Sequence, residues 1–201
     1  MNQNLFQNKT IGFAMTGSFC SFDKIFDVMA DFTTAGATLV PIVSDSVMHN
    51  RCRFGETAEY LEKISSICGL LPIHTLETAE PIGPNAMLDL LIIAPCTGNT
   101  LAKLACGITD GPVLMAAKAH LRNNRPILIS LSTNDGMGAN FQNLGTLFQR
   151  KNVYFVPIYQ DNYKKKPHSL VADTSLLMEC ADAALHGVQL QPFLRAPAEV
   201  S

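Results

Sequence analysis

Short apolar runs separate longer segments of helical periodicity along this chain. Four of the runs are apolar at nearly every position, which is typical of parallel strands that are buried on both faces. They cover residues 10–15, 37–43, 88–94 and 126–131, and a shorter run at residues 153–156 predicts a last strand. Pro41 falls inside the second run, although a central strand rarely contains proline.

Between the predicted strands, apolar residues recur every three or four positions and predict helices. In the first of these segments, Phe22, Ile25, Phe26 and Met29 form one apolar stripe. Further helices are predicted at residues 56–67, 97–106, 112–121, 141–149 and 170–185.

The last predicted helix turns Leu176, Leu177 and Ala181 inward, and the proline-containing residues 189–201 predict an extended arm. A loop is expected to begin at Ser44, and residues 70–84 are expected to be irregular. No linker or repeat interrupts the rest, so residues 1–188 are expected to form a single domain. Strands that alternate with helices predict an α/β protein with three α/β/α layers around a doubly wound, Rossmann-like parallel sheet.

Composition narrows the classes of function. Charged residues make up 16% of the chain, whereas a typical soluble domain has about 25%. Either a large core or, more simply, subunit contact in a homo-oligomer explains the difference. The net charge of -2 argues against nucleic-acid binding, which needs a basic face.

The remaining composition indicates a cytoplasmic protein. No apolar run approaches the ~18 residues of a membrane span, and residues 1–10 lack the apolar core of a signal peptide. The six cysteines form no C-x-x-C pair, and no cluster of them has the spacing typical of zinc ligands. They are therefore expected to be reduced thiols, and no metal site is expected.

Small polar residues follow each of the four long apolar runs. They are Thr16-Gly17-Ser18, Ser44-Asp45-Ser46, the PCTGNT segment at residues 95–100 and the STNDG segment at residues 132–136. Ligands of doubly wound sheets bind beyond the carboxyl ends of the strands, which is where these segments fall.

The first of these segments sits where a helix begins, so its free N–H groups favour an anion such as phosphate. Gly17 permits close approach and Ser18 adds a hydroxyl, although Ser18 could equally be a helix cap. The segment lacks the G-x-G-x-x-G pattern, which disfavours a conventional NAD site.

The PCTGNT segment puts Gly98, Asn99 and Thr100 into the first turn of a helix, although glycine and asparagine are poor helix formers. Such a local cost is often tolerated for ligand contact. Backbone amides and small polar side chains at this place match the hydrogen-bonding edge of a flavin ring. Thr133 and Asn134 are expected at the same rim.

Residues 91–118 read LIIAPCTGNTLAKLACGITDGPVLMAAK, and this block resembles the flavoprotein family of FMN-binding cysteine decarboxylases and flavin prenyltransferases. The resemblance covers about residues 10–186 and implies a flavoprotein fold with FMN as cofactor. The FMN-binding residues that it implies are Gly17, Ser18, Ser44, Cys96, Thr97, Gly98, Asn99, Ser132 and Thr133.

Four further segments are similar to one branch of this family, found in spore-forming bacteria: residues 132–138, 152–157, 160–161 and 166–171. That resemblance implies an oxidoreductase subunit that takes part in oxidising dihydrodipicolinate to pyridine-2,6-dicarboxylate during sporulation, with an NAD(P)-binding partner subunit. It also implies a trimer-based homo-oligomer, which the apolar first helix would fit.

A dicarboxylate substrate needs positive groups near the flavin. Asn134, Tyr163 and Lys166 are the expected substrate-binding residues. Further candidate cations are Lys164, Lys165 and Arg51 or Arg53, and a general base could be His49, His168 or Asp135.

Two alternatives stay open. A prenyltransferase or decarboxylase of the same family would act on a prenyl phosphate or a peptidyl cysteine. Ser132 and Thr133 stand where flavin prenyltransferases have arginine and glutamate. Cys180 or a neighbour replaces the basic residue that those enzymes have on the last helix. The proline-methionine-asparagine motif of the decarboxylases is absent from the sequence. A non-catalytic, flavin-binding partner subunit is the other alternative.

Overall fold

The computed structural model describes residues 4–49 and 55–196, and the apolar runs form its long strands. The strands are β1 (Thr10–Met15), β2 (Thr38–Val43), β3 (Leu90–Cys96), β4 (Ile127–Thr133), β5 (Val153–Phe155), β6 (Ile158–Tyr159) and β7 (Leu170–Ala172). The helices are α1 (Phe22–Thr34), α2 (Asp45–His49), α3 (Thr57–Cys68), α4 (Leu76–Ala79), α5 (Gly98–Ala105), α6 (Pro112–Arg122), α7 (Asn140–Phe148) and α8 (Leu177–Leu185). Short 3₁₀ turns lie at Phe19–Ser21, Glu80–Ile82 and Thr174–Leu176.

The sheet runs parallel in the order β2-β1-β3-β4, with β5 parallel to the start of β4. All seven residues of β3 are buried, as expected for a central strand covered on both faces. Pro41 is tolerated because β2 is the outermost strand, beyond which only Ile73 pairs among the described residues.

Helices cover both faces of the sheet, which confirms the predicted three-layer α/β/α fold. One apolar cluster joins the sheet to α1, α3 and α8, and the other joins it to α5, α6 and α7. The stripe of α1 that contains Ile25 and Met29 is buried in the first cluster. This stripe is therefore part of the chain's own core and offers no apolar surface for subunit contact.

The predicted helix at residues 170–185 is wrong at its beginning, and β5 is not the last strand. Leu170–Ala172 is β7, which pairs antiparallel with the end of β4 and with β6. Because β4 extends past β5, its carboxyl end needs this partner, and tertiary pairing overrides the local helical pattern. The helix begins only after Asp173, whose carboxylate accepts a hydrogen bond from Ser175 N.

Smaller differences occur in the first half of the chain. The loop expected at Ser44 is followed at once by the short helix α2, and residues 70–84 contain α4 and a 3₁₀ turn. Strand β3 begins two residues later than predicted and continues through Pro95, which follows a cis peptide bond, to Cys96.

The segment after α8 runs beside β6. Ile158 N donates to Phe193 O at 2.9 Å, and Arg195 N donates to Ile158 O at 2.9 Å. The part of the predicted arm at residues 197–201 lies outside the described residues, and the division into a domain and an arm stays a prediction. Among the described helices, none has the length and apolar character that would let it cross a membrane.

His120 ties α6 to the entrance of β4. Its ring is buried, and His120 Nε2 lies 3.0 Å from Pro126 O. Burial lowers the pKa of His120 from 6.5 to about 4, despite the opposing effect of the bond to Pro126. Because the folded pKa is below the unfolded one, His120 stabilises the fold above about pH 6.5, and this contribution is lost as pH falls toward 4.

We expect the free energy of unfolding to fall between about pH 7.5 and about pH 5, with about 2 kcal/mol of the loss due to His120. Urea titrations at both pH values measure this loss. His120→Gln keeps a donor for Pro126 O, and its loss of unfolding free energy between the two pH values should be smaller by about 2 kcal/mol. The control is His74→Gln at an exposed position, which should lose as much as the unmodified chain. Equal pH dependence in all three proteins would contradict the prediction.

Candidate functional site

The segments after β1, β2, β3 and β4 meet at one edge of the sheet. The chain winds from β1 to β2 in one direction and from β3 to β4 in the other, so the strand order reverses between β1 and β3. A crevice opens at such a reversal, beyond the carboxyl ends of the strands. The polar segments singled out in the sequence surround this crevice.

Thr16 joins the tips of β1 and β3. Its side chain is buried, and its N and Oγ1 both donate to Pro95 O, at 3.2 and 2.7 Å. The same hydroxyl accepts a hydrogen bond from Thr97 N at 2.9 Å. These bonds fix the PCTGNT segment relative to Gly17, and so they fix the entrance of α5.

The smaller part of the crevice, called the narrow cleft, has a volume of about 80 Å³. It is lined by Thr16, Gly17, Ser44, Asp45, Ser46, Thr97, Asn99, Thr100, Lys103 and residues 110–114. Within the described part of the chain, Ser44 Oγ is buried and has no hydrogen-bond partner. A buried hydroxyl without a partner is costly, which points to a ligand atom at this place.

The larger part, called the wide cavity, has a volume of about 510 Å³, within the range of small-molecule sites. Ser18 Oγ lies 2.8 Å from Ser132 Oγ, and Ser21 Oγ lies 3.3 Å from it. Its lining residues are Gly17, Ser18, Cys20, Ser21, Lys24, Thr97, Gly98, Ser132, Thr133, Asn134, Tyr159, Asp161, Lys166, Val171, Ala172 and Thr174.

A side chain at Gly98 would displace two neighbouring side chains. A Cβ at this position would lie 2.5 Å from Asn140 Nδ2 and 2.7 Å from Thr133 Oγ1. Thr97 caps the helix by accepting from Thr100 N at 3.2 Å, while the N–H groups of Gly98 and Asn99 have no partner within the helix. The poor helix formers of this segment therefore bring backbone donors to the wall of the crevice.

The structure brings most of the predicted site residues together. Gly17 and Thr97 line both parts of the crevice. Ser44 and Asn99 line the narrow cleft. The residues that line the wide cavity are Ser18, Gly98, Ser132, Thr133, Asn134 and Lys166.

Two predicted site residues do not line the crevice. The Cys96 side chain is fully buried beneath the PCTGNT segment, and burial raises the pKa of its thiol to about 12. Tyr163 is exposed and does not line either part.

The other candidates for chemistry lie outside the two parts of the crevice. Lys164 and Lys165 are exposed and do not line the wide cavity, nor do the three candidate bases His49, His168 and Asp135. Arg51 and Arg53 lie outside the described residues. Across residues 4–49 and 55–196, no three of the metal-binding residue types come together.

Several lining residues were missed in the sequence. Lys24 stands in the first turn of α1, next to the apolar stripe, where its pattern indicates only a solvated helix face. Tyr159, Asp161 and Thr174 belong to the wall formed by β6, β7 and their connections, which the misplaced helix concealed. The Asp173-Thr174-Ser175 sequence is a helix-start signal that would have placed the helix correctly.

Asp161 and Lys166 form an ion pair on this wall, with Lys166 Nζ 3.3 Å from Asp161 Oδ2. Burial alone would raise the pKa of Asp161, but hydrogen bonds from Ser169 and Lys166 outweigh it and keep the pKa below its usual value. Asp161 is therefore ionised at neutral pH. The pKa of the neighbouring Tyr159 is raised by burial and by the charges of Asp173 and Asp161.

The fold and the crevice define a doubly wound α/β protein with a polar ligand site at its topological switch point. The chain belongs to the flavoprotein family, whose model matches residues 2–176. This match confirms the family resemblance seen in the PCTGNT segment and its surroundings.

The chain is similar to the B subunit of dipicolinate synthase from Bacillus subtilis (strain 168), with 45% identity over 188 residues and 94% of each chain covered. It is also similar to the crystal structure of the corresponding dipicolinate synthase subunit from Bacillus halodurans C, with a TM-score of 0.88 and 42% identity over 97% of this chain and 98% of that one. An FMN-dependent cysteine decarboxylase has the same fold, with a TM-score of 0.68 and 20% identity over 90% of this chain and 99% of that one.

We expect Thr16→Val to lower the free energy of unfolding by about 1–3 kcal/mol, because Thr97 N then loses its acceptor and Pro95 O loses one donor. Urea unfolding measures the change. Thr16→Ser keeps the hydroxyl and should cost clearly less. Thr34→Val, which removes an exposed helix-surface bond to Ala30 O, should change stability by about 0.5 kcal/mol or less. A similar cost for Thr16→Val and Thr34→Val would show that the link between β1 and β3 contributes little.

Proposed function

We propose that this chain binds FMN and serves as the flavin-binding subunit of a dipicolinate synthase in the cytoplasm of the sporulating cell. It takes part in oxidising dihydrodipicolinate to pyridine-2,6-dicarboxylate together with an NAD(P)-binding subunit. The similarity to the B subunit of dipicolinate synthase over 94% of both chains carries the proposal. The division of the crevice into a narrow polar cleft and a wide cavity supports it.

The residues of the crevice fit FMN. The hydroxyl of Ser44 is buried without a partner and would donate to the phosphate of FMN. The backbone around Gly17 and Ser18 leads into the helical turn before α1, where N–H groups favour an anion. The donors of Gly98 and Asn99 and the hydroxyl of Thr97 would hold the polar edge of the ring.

Ser132 and Thr133 complete the FMN-binding set on the far side of Gly98, where Thr133 Oγ1 would meet any side chain added to the glycine. Cys96 would support the PCTGNT segment from beneath, because its thiol is enclosed in the core and has no access to solvent. The absence of a side chain at Gly98 lets Asn140 and Thr133 pack against the backbone of this segment.

Conversion of dihydrodipicolinate into the aromatic ring removes two electrons and two protons. FMN, when bound, supplies an acceptor for the hydride. The chain's own residues bind and orient the substrate: Asn134 and Lys166 line the wide cavity beside the hydroxyls of Ser18 and Ser132. Tyr163 would reach this cavity only if its loop moved, since it is exposed in the isolated chain.

The structure lends little support to prenyl transfer or decarboxylation. Ser132 and Thr133 line the cavity where the prenyltransferases carry arginine and glutamate, so those two charges are missing. Cys180 is buried in the core and does not line the wide cavity. A non-catalytic role beside the partner subunit is the second candidate, and the experiment with both subunits separates it from the first.

We further propose a homo-oligomer, built from trimers. The support is the low charged fraction together with an apolar groove next to the wide cavity, which includes Phe141, Phe148, Phe193 and Leu194. Of these, Phe141 is 60% exposed and Leu194 is 71% exposed in the single chain. Large apolar side chains that are exposed together are typical of protein contacts.

We expect Ser44→Ala to weaken FMN binding about tenfold while leaving riboflavin binding unchanged, because only FMN has the phosphate. Fluorescence titration of both flavins measures the two dissociation constants. Ser65→Ala, which removes a hydroxyl bonded to Leu61 O on α3, is the control and should leave both unchanged. An equal loss for both flavins would place Ser44 at another part of the cofactor.

The reaction is tested in an anaerobic single turnover of the FMN-loaded chain with dihydrodipicolinate, with and without the NAD(P)-binding subunit. We expect pyridine-2,6-dicarboxylate to form in the complete system in proportion to the loss of oxidised flavin absorbance. Product that forms without any change in the flavin would favour the non-catalytic role. Failure of the fresh protein to contain or take up FMN would contradict every flavin function.

A further inference from the structure

Lys24 and Lys166 are two cations that come to the wide cavity from distant parts of the chain. Lys24 lies in the first turn of α1, is exposed and makes no ion pair with any described residue. Lys166 lies between β6 and β7 and pairs with Asp161. Among the described residues that line this cavity, these three side chains carry the formal charges.

The charges of the wide cavity sum to one net positive charge, and neither lysine is saturated. The pair of Lys166 and Asp161 is partly exposed, with 51% and 29% of the side chains accessible, so it stabilises the fold little. An ammonium group has three donors, and Lys166 Nζ uses one of them for Asp161. It can therefore bind a second carboxylate without leaving the first.

The two lysines lie in the part of the crevice that does not include Ser44, the residue assigned to the cofactor's phosphate. Neither of them lines the narrow cleft, where Lys103 is paired with Asp110 at 2.6 Å and Ser44 offers its hydroxyl. Positive charge without a matching carboxylate is thus concentrated in the wide cavity. Two separate ammonium groups suit a ligand with two separate anionic groups, because lysine acts as a point charge.

We propose that Lys24 and Lys166 each bind one carboxylate of a dianionic ring substrate, and that Lys24 selects dicarboxylates over monocarboxylates. Lys24 has this role because its ammonium group has no carboxylate partner among the described residues, whereas Lys166 already has Asp161. The hydroxyls of Ser18, Ser21 and Ser132 line the same cavity, where Ser18 Oγ and Ser21 Oγ lie 2.8 and 3.3 Å from Ser132 Oγ. The inference rests on the proposed function for the chemical class of the substrate.

The test uses the full chain loaded with FMN and two probes in metal-free buffer, pyridine-2,6-dicarboxylate and pyridine-2-carboxylate. Calorimetry gives the ratio of the two dissociation constants, and a separate titration gives the affinity for FMN. We expect the unmodified chain to prefer the dicarboxylate. Lys24→Met should reduce that preference about tenfold, the effect expected for loss of one charged hydrogen bond, and leave FMN affinity unchanged.

Three variants support the comparison. Lys24→Arg keeps the charge and should keep most of the preference. Lys166→Met should weaken the binding of both probes and keep the preference, because Lys24 is the residue that distinguishes them. Lys118→Met removes an exposed lysine of α6 that does not line the wide cavity and should change nothing.

The outcomes separate this inference from the proposed function. If the unmodified, FMN-loaded chain binds neither probe, the assigned substrate class is wrong and the inference is overturned with it. If that chain prefers the dicarboxylate and Lys24→Met keeps the preference, only the inference is overturned. Weaker FMN binding by Lys24→Met, with the preference intact, would assign Lys24 to the cofactor and overturn the inference as well.

Discussion

The buried hydroxyl of Thr16 holds together the two strand ends on which the crevice depends. Parallel strands leave their carboxyl ends without a common partner, and loops that follow them can diverge. Here one side chain donates to Pro95 O and accepts from Thr97 N, so the end of β1 and the end of β3 cannot separate without breaking both bonds. The position of Gly98, and with it the start of α5, follows from this link.

The crevice that results has two parts with different chemistry. The narrow cleft offers hydroxyls and backbone donors, and its lysine is neutralised by a neighbouring aspartate. The wide cavity offers hydroxyls, a lysine without a described carboxylate partner and a lysine that shares its charge with Asp161. An elongated ligand with a neutral ring and a phosphate tail would therefore leave the wide cavity positive, as an anionic second ligand requires.

Much of the fold was predictable from the sequence because the central strands are buried on both faces. Continuous apolar runs such as that of β1 show where the long strands of the sheet lie, and β1 was predicted with its observed bounds. The polar segments at the strand ends were predictable for the same reason, since their places follow from the strands. Pro41 looked inconsistent with a strand only because the sequence does not show which strands lie at the edge.

The wall formed by β6 and β7 could not be predicted in the same way. These strands have two and three residues, too few to show a period, and β7 exists because the end of β4 needs a partner. Tyr159 and Asp161 were missed with that wall. Lys24 was missed for another reason: a polar residue next to an apolar stripe looks like part of a solvated helix face until the loop of β4 is placed opposite it.

The order of these elements along the chain has a consequence for biosynthesis. The residues that line the narrow cleft all lie between Thr16 and Leu114 in the sequence. One wall of the wide cavity is formed by residues between 159 and 174, and the pairing of Phe193 and Arg195 with Ile158 supports this wall. Because a polypeptide leaves the ribosome from its amino end, every residue of the narrow cleft is synthesised before the wall formed by β6 and β7. The wall of β6 and β7 can therefore pack against the rest of the crevice only after the residues of the narrow cleft have left the ribosome.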